Sequence, residues 1–304
     1  MENSGHLDGR ALLYVTIAIV TWSSAYAAIA YGLDAFTPGE VALARLLLGS
    51  ICFLLWMRLR RLPLPPAGAW PPLLALGAVG LAVYHLCLND AETRIASGTA
   101  AILIALVPAA TAATSALWLR ERLSARTLLG LAVALAGVVL VVLTSGKSVA
   151  FQPKAALVLV SVLATAVYFT AQKPWSARFG AEAVTTVTFI GATLGALPFG
   201  LDLPYALTVA PMSRIAALLW LGLAPTFVGY LTWNMAIHRA SVSKVSSFIY
   251  FSTPIALLIG WAWLGEQPGW RTLAGGAIVV GGVLIANARG RSGARPAVRA
   301  TCES

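Results

Sequence analysis

Two ionisable side chains lie inside long apolar stretches of this sequence. Arg45 falls within residues 38–57, and His85 falls within residues 70–89. A buried guanidinium can hold a substrate carboxylate through paired hydrogen bonds, but it can also snorkel toward water or bind neighbouring carbonyls. A buried imidazole is either a hydrogen-bonded packing residue or a polar wall of a pocket. Ionisable groups at such positions typically mark a function, so both are candidate binding residues.

Aromatic side chains with one polar group form a second candidate set. Each combines an apolar ring with a hydrogen-bonding atom, which suits a small solute with an apolar body and polar ends. Some of them fit equally well in the interfacial belt of a membrane protein. Together, the predicted substrate-binding residues are Trp22, Tyr26, Arg45, Tyr84, His85, Tyr168, Tyr230, Trp233, Asn234 and Tyr250.

The sequence offers little for catalysis or for binding a cofactor. Cys52, Cys87 and Cys302 have no metal-ligand or redox spacing. The motifs GxxxxGK[ST], G-x-S-x-G and HExxH are absent. We therefore predict no metal, no cofactor and no enzymatic activity, and any transport would be driven by a gradient and not by ATP. No Asp or Glu falls near the centre of an apolar stretch, so antiport of cationic drugs is disfavoured and a zwitterion fits best.

Membrane-spanning helices are the elements that would position these residues. The 304 residues are 59% apolar and 11% charged, outside the range of a soluble domain. A hydrocarbon layer requires about 20 apolar residues per spanning helix, and the alternating pattern of a barrel strand is absent. We predict an all-α integral membrane protein whose ten transmembrane helices cover residues 11–33, 38–57, 70–89, 95–119, 125–144, 154–172, 181–200, 214–238, 244–264 and 271–288.

One short phrase occurs twice, as WLRERLSARTLLG from Trp118 and as WLGEQPGWRTLAG from Trp263. With this shift, residues 118–138 and 263–283 agree at ten of 21 positions. The chain is therefore predicted to contain two five-helix repeats. Because five is odd, the second repeat must be inverted, which is a recurring construction of secondary transporters. The predicted units are residues 1–146, residues 147–288 and a basic cytoplasmic tail at residues 289–304.

Equivalent residues in the two repeats also predict how helices bend and pack. Pro108 and Pro254 fall within spans, where they predict helix kinks with a role in gating. Glycines two turns apart predict close packing of helices 5 and 10, with dimerisation as the alternative. A glutamate with a nearby arginine at the end of a helix predicts a local ion pair or cap. These glycines and ion pairs are Gly130, Gly137, Gly275 and Gly282, and Glu121 with Arg126 and Glu266 with Arg271.

Cationic residues are distributed unequally between the two sides of this bundle. With both termini in the cytoplasm, inner segments hold fifteen of the 21 Lys and Arg residues, outer segments hold five, and Arg45 lies within helix 2. This asymmetry predicts cytoplasmic N and C termini. It also accounts for the net charge of +10 without a nucleic-acid-binding face. The expected partners are the lipid bilayer and a small-molecule substrate, and we expect a functional monomer with a dimer as the alternative.

Several motifs resemble those of EamA-type permeases of the drug/metabolite transporter superfamily. They are W-L-x-E and R-T-L-x-G after a proline in both repeats, Trp22-Ser23-Ser24 in helix 1, and Pro38 with Arg45 in helix 2. The stretch YFTAQK and the pair Trp233-Asn234 are similar to YddG-type exporters. The resemblance implies a bacterial inner-membrane transporter that exports amino acids, aromatic or other neutral, or similar small metabolites by alternating access. Helix 7 departs from helix 2 because it has no counterpart of Arg45.

Other functions remain open on the sequence. The exported solute could instead be a quaternary amine or a nucleobase. An intramembrane enzyme is disfavoured because this sequence lacks a catalytic motif. A non-transporting membrane subunit is disfavoured because it would not need the inverted repeat.

Overall fold

Every regular secondary-structure element that the structure, a computed structural model, describes is a helix, and the described residues are 8–119, 125–144, 153–239 and 248–287. Eleven helices are present in these ranges. Their bounds are α1 (Gly9–Gly32), α2 (Pro38–Leu59), α3 (Ala67–Glu92), α4 (Ser97–Ile104 and Val107–Leu119), α5 (Ala125–Thr144), α6 (Pro153–Phe179), α7 (Ala181–Ala196), α8 (Leu203–Val209), α9 (Met212–Leu221 and Gly229–Arg239, joined by a π-helical turn), α10 (Ser252–Leu264) and α11 (Trp270–Asn287).

Six of these helices are long and apolar enough to cross a membrane, namely α1, α2, α3, α6, α9, and α7 together with the 3₁₀ turn that follows it at Leu197–Phe199. The apolar parts of α4, α5, α10 and α11 are shorter. The eleventh helix, α8, was not predicted and lies in the predicted loop between residues 200 and 214. Seven residues extend only about 10 Å, too short to span a bilayer. Tyr205 on α8 is exposed.

The first two helices begin at side chains that satisfy free backbone amides. The Asp8 carboxylate accepts a hydrogen bond from the amide of Ala11 (2.7 Å) at the start of α1. Thr37 and Glu40 form a reciprocal capping box at the start of α2, with Pro38 in its first turn. These caps fix where α2 enters the bundle and therefore where Arg45 lies.

Both prolines of the predicted kinks lie in the first turn of a helical segment. The α4 helix breaks after Ile104, and Pro108 lies in the first turn of its second piece. Pro254 lies in the first turn of α10, which follows a 3₁₀ turn at Phe248–Phe251. At these places the missing proline N–H removes no intrahelical hydrogen bond.

A second pair of irregular turns was not predicted from the sequence. A π-helical turn occupies Gly77–Ala82 in α3, and another occupies Gly222–Val228 in α9. The two turns begin 145 residues apart, the shift that relates the repeated phrases. Such turns inside α-helices are frequent at functional sites. Each lies immediately before the candidate binding residues of its helix.

Glycines hold α5 and α11 together, as predicted. A Cβ atom on Gly137 would lie 2.6 Å from the backbone nitrogen of Val279, and one on Gly275 would lie 2.7 Å from Cγ2 of Val141. Gly282 lies against the backbone of Gly130 in the same way. Small residues at these points let the two backbones approach closely. We call this glycine-lined contact the α5–α11 seam.

Ion pairs link the ends of helices from the two halves of the chain. Asp8 before α1 pairs with Arg239 at the end of α9 (3.0 Å), and Asp34 after α1 pairs with Arg214 at the start of α9 (3.0 Å). Helices α1 and α9 are therefore antiparallel. Lys154 at the start of α6 pairs with Asp90 near the end of α3 (2.7 Å), so α3 and α6 are antiparallel as well.

Candidate functional site

Arg45 is buried in the centre of the bundle. It lies on α2 and is 4% exposed, and its Nε donates a hydrogen bond to Oγ1 of Thr226 (3.2 Å), inside the π-helical turn of α9. One turn further along α2, Gly49 lets the helix approach Thr226. Arg45 thus joins the first half of the chain to the second. The ionisable side chains close enough to interact electrostatically with the Arg45 guanidinium are Tyr26, Tyr84, Tyr230 and Glu92.

Polar residues on α3 line the same region. The rings of Tyr84 and His85 meet edge to face, 4.5 Å apart. His85 is 1% exposed, and neither ring nitrogen has a hydrogen-bond partner. Asn89, one turn later, donates through Nδ2 to the carbonyl of Pro38 (3.1 Å), while its Oδ1 accepts no hydrogen bond. A buried polar atom without a partner is costly, so these atoms are candidates to bind a ligand.

Aromatic rings from α1 and α9 form a cluster beside Arg45. The Trp22 ring lies 5.5 Å from that of Tyr230 and 5.1 Å from that of Trp233. The indole Nε1 of Trp22 donates to the carbonyl of Pro225 (3.0 Å), which belongs to the π-helical turn. Phe189 of α7 packs edge to face against Tyr230 at 5.1 Å. The structure therefore brings Trp22, Tyr230 and Trp233 together.

The remaining candidates lie in different settings. Tyr168 is fully buried, packs against Gly80, and shares a hydrogen bond with Thr188 (3.1 Å), so its hydroxyl already has a partner. Asn234 is 9% exposed, and its Nδ2 has no partner. The side chain of Tyr250, like Glu121 and the tail at residues 289–304, lies outside the described part of the chain.

Sequence reasoning missed Glu92 because the third span was ended at residue 89. The helix continues to Glu92, which is 6% exposed, and both of its carboxyl oxygens lack a hydrogen-bond partner. A signal was present in the sequence, since residues 85, 89 and 92 follow the i, i+4, i+7 spacing of one helix face. Glu92 is the last residue of α3, so it lies outside the span centres to which the sequence prediction on Asp and Glu referred.

Glu266 was predicted to form a local ion pair with Arg271 or to cap a helix, and the structure shows a cap on a helix of the other half. Its carboxylate accepts hydrogen bonds from the amide of Ser97 (2.9 Å), from the Ser97 hydroxyl (2.7 Å) and from the amide of Gly98 (3.2 Å). It therefore caps α4, in the other half of the chain. The Arg271 guanidinium lies over the Trp270 ring at 5.5 Å. Sequence proximity pointed to the wrong partner because the contact spans 169 residues.

The arrangement suits reversible binding of an organic solute. One guanidinium, several phenols and partnerless polar atoms surround a common region, and aromatic rings supply an apolar wall. Within the described ranges, no group of three or more His, Cys, Asp or Glu side chains could hold a metal ion.

Comparison with known proteins places these features in a family. The model of the EamA-like transporter family matches residues 9–143 and again residues 152–288. A protein of Streptantibioticus cattleyicolor named "Probable terminal-alkyne amino-acid exporter" is 31% identical over 280 residues, covering 92% of this chain and 94% of its own. The transporter YdfC of Bacillus subtilis is 31% identical over 270 residues, covering 89% and 88%.

More distant similarity extends over the same length. The inner membrane transporter YedA of Escherichia coli is 27% identical over 294 residues and covers 92% of this chain and 91% of its own. A solved structure titled "Crystal structure of protein" superposes with a TM-score of 0.62 at 22% identity, covering 91% of this chain and 96% of that one. At that identity the superposition supports the fold alone.

Proposed function

The chain belongs to the EamA-like transporter family, and on that premise we propose that it exports amino acids, aromatic or other neutral, or similar small metabolites by alternating access. The observation that carries this proposal is the position of Arg45. Its guanidinium lies between the two halves of the chain, among three phenols and beside a cluster of aromatic rings. A neutral amino acid presents a carboxylate to such a guanidinium and an apolar side chain to such rings.

Alternating access requires two halves of opposite orientation. We propose ten spans arranged as two inverted repeats, residues 1–146 and 147–288. The equivalent helices of the two repeats support this arrangement: α1 lies antiparallel to α9, and α6 lies antiparallel to α3. The first helix of each repeat thus packs against the third helix of the other. In such a fold the solute binds near the middle of the bilayer, where interrupted helices meet.

Interrupted helices do meet the proposed site. The π-helical turn of α9 supplies both the Thr226 hydroxyl to Arg45 and the Pro225 carbonyl to Trp22. In this proposal, the substrate contacts Trp22, Tyr26, Arg45, Tyr84, His85, Tyr230, Trp233 and Asn234. Tyr168 packs behind the residues that line the site and does not contact the substrate. Pro108 and Pro254 allow the interrupted helices to bend during gating.

One relative supports the proposed direction of transport. The Streptantibioticus cattleyicolor protein is named an amino-acid exporter, and we extend export to this chain. We place the protein in a bacterial inner membrane with cytoplasmic termini. It acts as a monomer and moves its solute along a gradient without enzymatic turnover.

Counterflow in liposomes tests the proposal. Purified protein is reconstituted, and exchange is measured with a panel of neutral amino acids, nucleobases and quaternary amines. We expect exchange of amino acids and its loss in Trp233→Ala and Asn234→Ala variants that remain folded. Exchange of quaternary amines or nucleobases alone would contradict the assignment of amino acids as the substrate. Chemical conversion of a solute would show that the protein is an enzyme and not a transporter.

A further inference from the structure

Glu92 is the buried charged residue that the proposed function leaves unused. It forms the last residue of α3, and the surrounding protein gives neither carboxyl oxygen a hydrogen-bond partner. Burial of an unpaired carboxylate is costly, and an ionisable residue retained inside a membrane protein is by default a functional one. Both carboxyl oxygens are therefore available to a cationic or hydrogen-bond-donating ligand.

The groups around Glu92 include one cation and one other carboxylate. Arg45, Tyr26 and Glu266 are its electrostatic neighbours. Glu266 is already satisfied by Ser97 and Gly98. Arg45 is not close enough to pair with Glu92: the ion pairs within 4.0 Å among the described residues are Asp8 with Arg239, Asp34 with Arg214, and Asp90 with Lys154.

Helix geometry sets the distance between the two charges. The hydrogen bond from Asn89 to the Pro38 carbonyl brings these two residues to the same height. Arg45 lies seven residues below Pro38 along α2, and Glu92 lies three residues above Asn89 along α3. At about 1.5 Å per residue, their backbones are about 15 Å apart along the bundle.

The side chains shorten this gap without closing it. Helical side chains tilt toward the N-terminus of their own helix. Because α2 and α3 run in opposite directions, Arg45 extends toward Glu92 and Glu92 extends toward Arg45. The two side chains then face each other at a separation beyond that of an ion pair, and a molecule carrying both charges could bridge them.

From this juxtaposition we infer that Glu92 binds the ammonium group of a zwitterionic amino acid while Arg45 binds its carboxylate. This inference rests on the proposed function. The ammonium donates hydrogen bonds to the two free oxygens of Glu92, and the carboxylate accepts them from the guanidinium. Both charges belong to the first repeat, since the second has Ile237 at the position equivalent to Glu92 and no counterpart of Arg45. The first repeat therefore recognises the charged groups of the substrate, and α9 supplies the apolar wall of the site.

Equilibrium binding to purified protein tests the assignment with three ligands of similar shape. Phenylalanine has both charges, 3-phenylpropionate lacks the ammonium, and phenethylamine lacks the carboxylate. Glu92→Gln is expected to weaken phenylalanine binding roughly 10- to 100-fold, the range for hydrogen bonds to charged groups. The same variant should bind 3-phenylpropionate with an affinity within about twofold of wild type, since that ligand has no ammonium to contact Glu92.

Two further variants separate recognition from folding. Arg45→Gln should give the mirrored result: the binding of phenylalanine weakens, while the binding of phenethylamine is unchanged. Asp90→Asn is the matched control, because it removes a carboxylate two residues from Glu92 that pairs with Lys154 at the surface. It should leave all three affinities unchanged.

Several outcomes would overturn the assignment. Equal weakening of phenylalanine and 3-phenylpropionate in Glu92→Gln would mean that the residue is structural. Unchanged phenylalanine affinity, or a variant that loses only the pH dependence of transport, would make Glu92 a proton carrier or a bystander. Should Glu92→Gln fail to fold, the absence of the mirrored result in Arg45→Gln would count against the pair. Wild-type protein that neither binds nor exchanges amino acids would overturn the proposed function itself.

Discussion

The Glu266 carboxylate accepts hydrogen bonds from the backbone amide and the hydroxyl of Ser97, at 2.9 Å and 2.7 Å. These residues belong to different halves of the chain. Gly260 of α10 lies alongside, where a Cβ atom would be 2.9 Å from the Ser97 hydroxyl oxygen. The contact therefore joins the end of α10 to the start of α4 at the end of the bundle that also contains the Asp90–Lys154 pair.

Replacement of Glu266 should destabilise this end of the bundle. Glu266→Gln keeps the shape of the side chain but loses the charge that strengthens hydrogen bonds to backbone amides. We expect the free energy of unfolding to fall by about 1–2 kcal/mol. Thermal unfolding in detergent measures the change, with Glu182→Gln at the start of α7 as the control. Equal melting temperatures for Glu266→Gln and wild type would show that the contact contributes nothing.

Substitutions in α11 test the α5–α11 seam with neighbouring positions. A Cβ atom on Gly282 would lie 2.7 Å from the Gly130 carbonyl oxygen, whereas one on Gly281 would meet nothing within 4 Å. Gly282→Ala should therefore destabilise the protein, by about 1–3 kcal/mol from overpacking. Gly281→Ala should be neutral or stabilising by up to about 1 kcal/mol, because alanine favours a helix. Denaturation of both variants checks this, and identical effects would contradict the packing.

Cysteine labelling distinguishes inverted repeats from repeats with the same orientation. Arg60 follows α2 and Leu201 follows α7, so an inversion places these exposed positions on opposite faces of the membrane. Single cysteines at the two positions are introduced after replacement of Cys52, Cys87 and Cys302. An impermeant maleimide should label Leu201→Cys in intact cells and Arg60→Cys only after permeabilisation. Labelling of both from the same side would exclude the inverted arrangement.

Asp8 predicts a change of stability in acid. The Ala11 amide, followed by the Arg239 guanidinium, lowers the pKa of this carboxyl below its usual value of 3.8. A lowered pKa in the folded state adds stability above the unfolded pKa, and this contribution is lost as the pH falls through the folded value. Melting temperatures measured from pH 6 down to about pH 3 should therefore decrease more steeply for wild type than for Asp8→Asn. Parallel curves would refute the linkage.

Much of the fold could be predicted from the sequence because its causes are local or repeated. Runs of apolar residues gave the long helices, and the interruption of α4 lies next to Pro108. The α5–α11 packing followed from glycines at matching positions. By contrast, α8 is a seven-residue helix between two spans, and its length gives no signal of a membrane crossing. The π-helical turns depend on packing against other helices, as where Gly77 meets the backbone of α7, so no local pattern marks them.

The candidate site was only partly accessible to the same reasoning. Burial of Arg45 and His85 followed from their places within apolar runs, and the polar rings indicated Trp22, Tyr230 and Trp233 as neighbours. Thr226 gave no signal, because a threonine in an apolar helix is common and its bond to Arg45 spans 181 residues. Glu92 was lost through an error of three residues in the end of a helix, which is within the usual uncertainty of helix boundaries.

The α5–α11 seam has a mechanical consequence. Because its two backbones touch at glycines, the halves of the chain cannot separate there without opening a gap in the membrane interior. In the proposed alternating-access cycle, the two halves would therefore rotate about this seam. Such a rotation would widen one opening of the proposed passage while it narrows the other, with the α5–α11 contact kept closed.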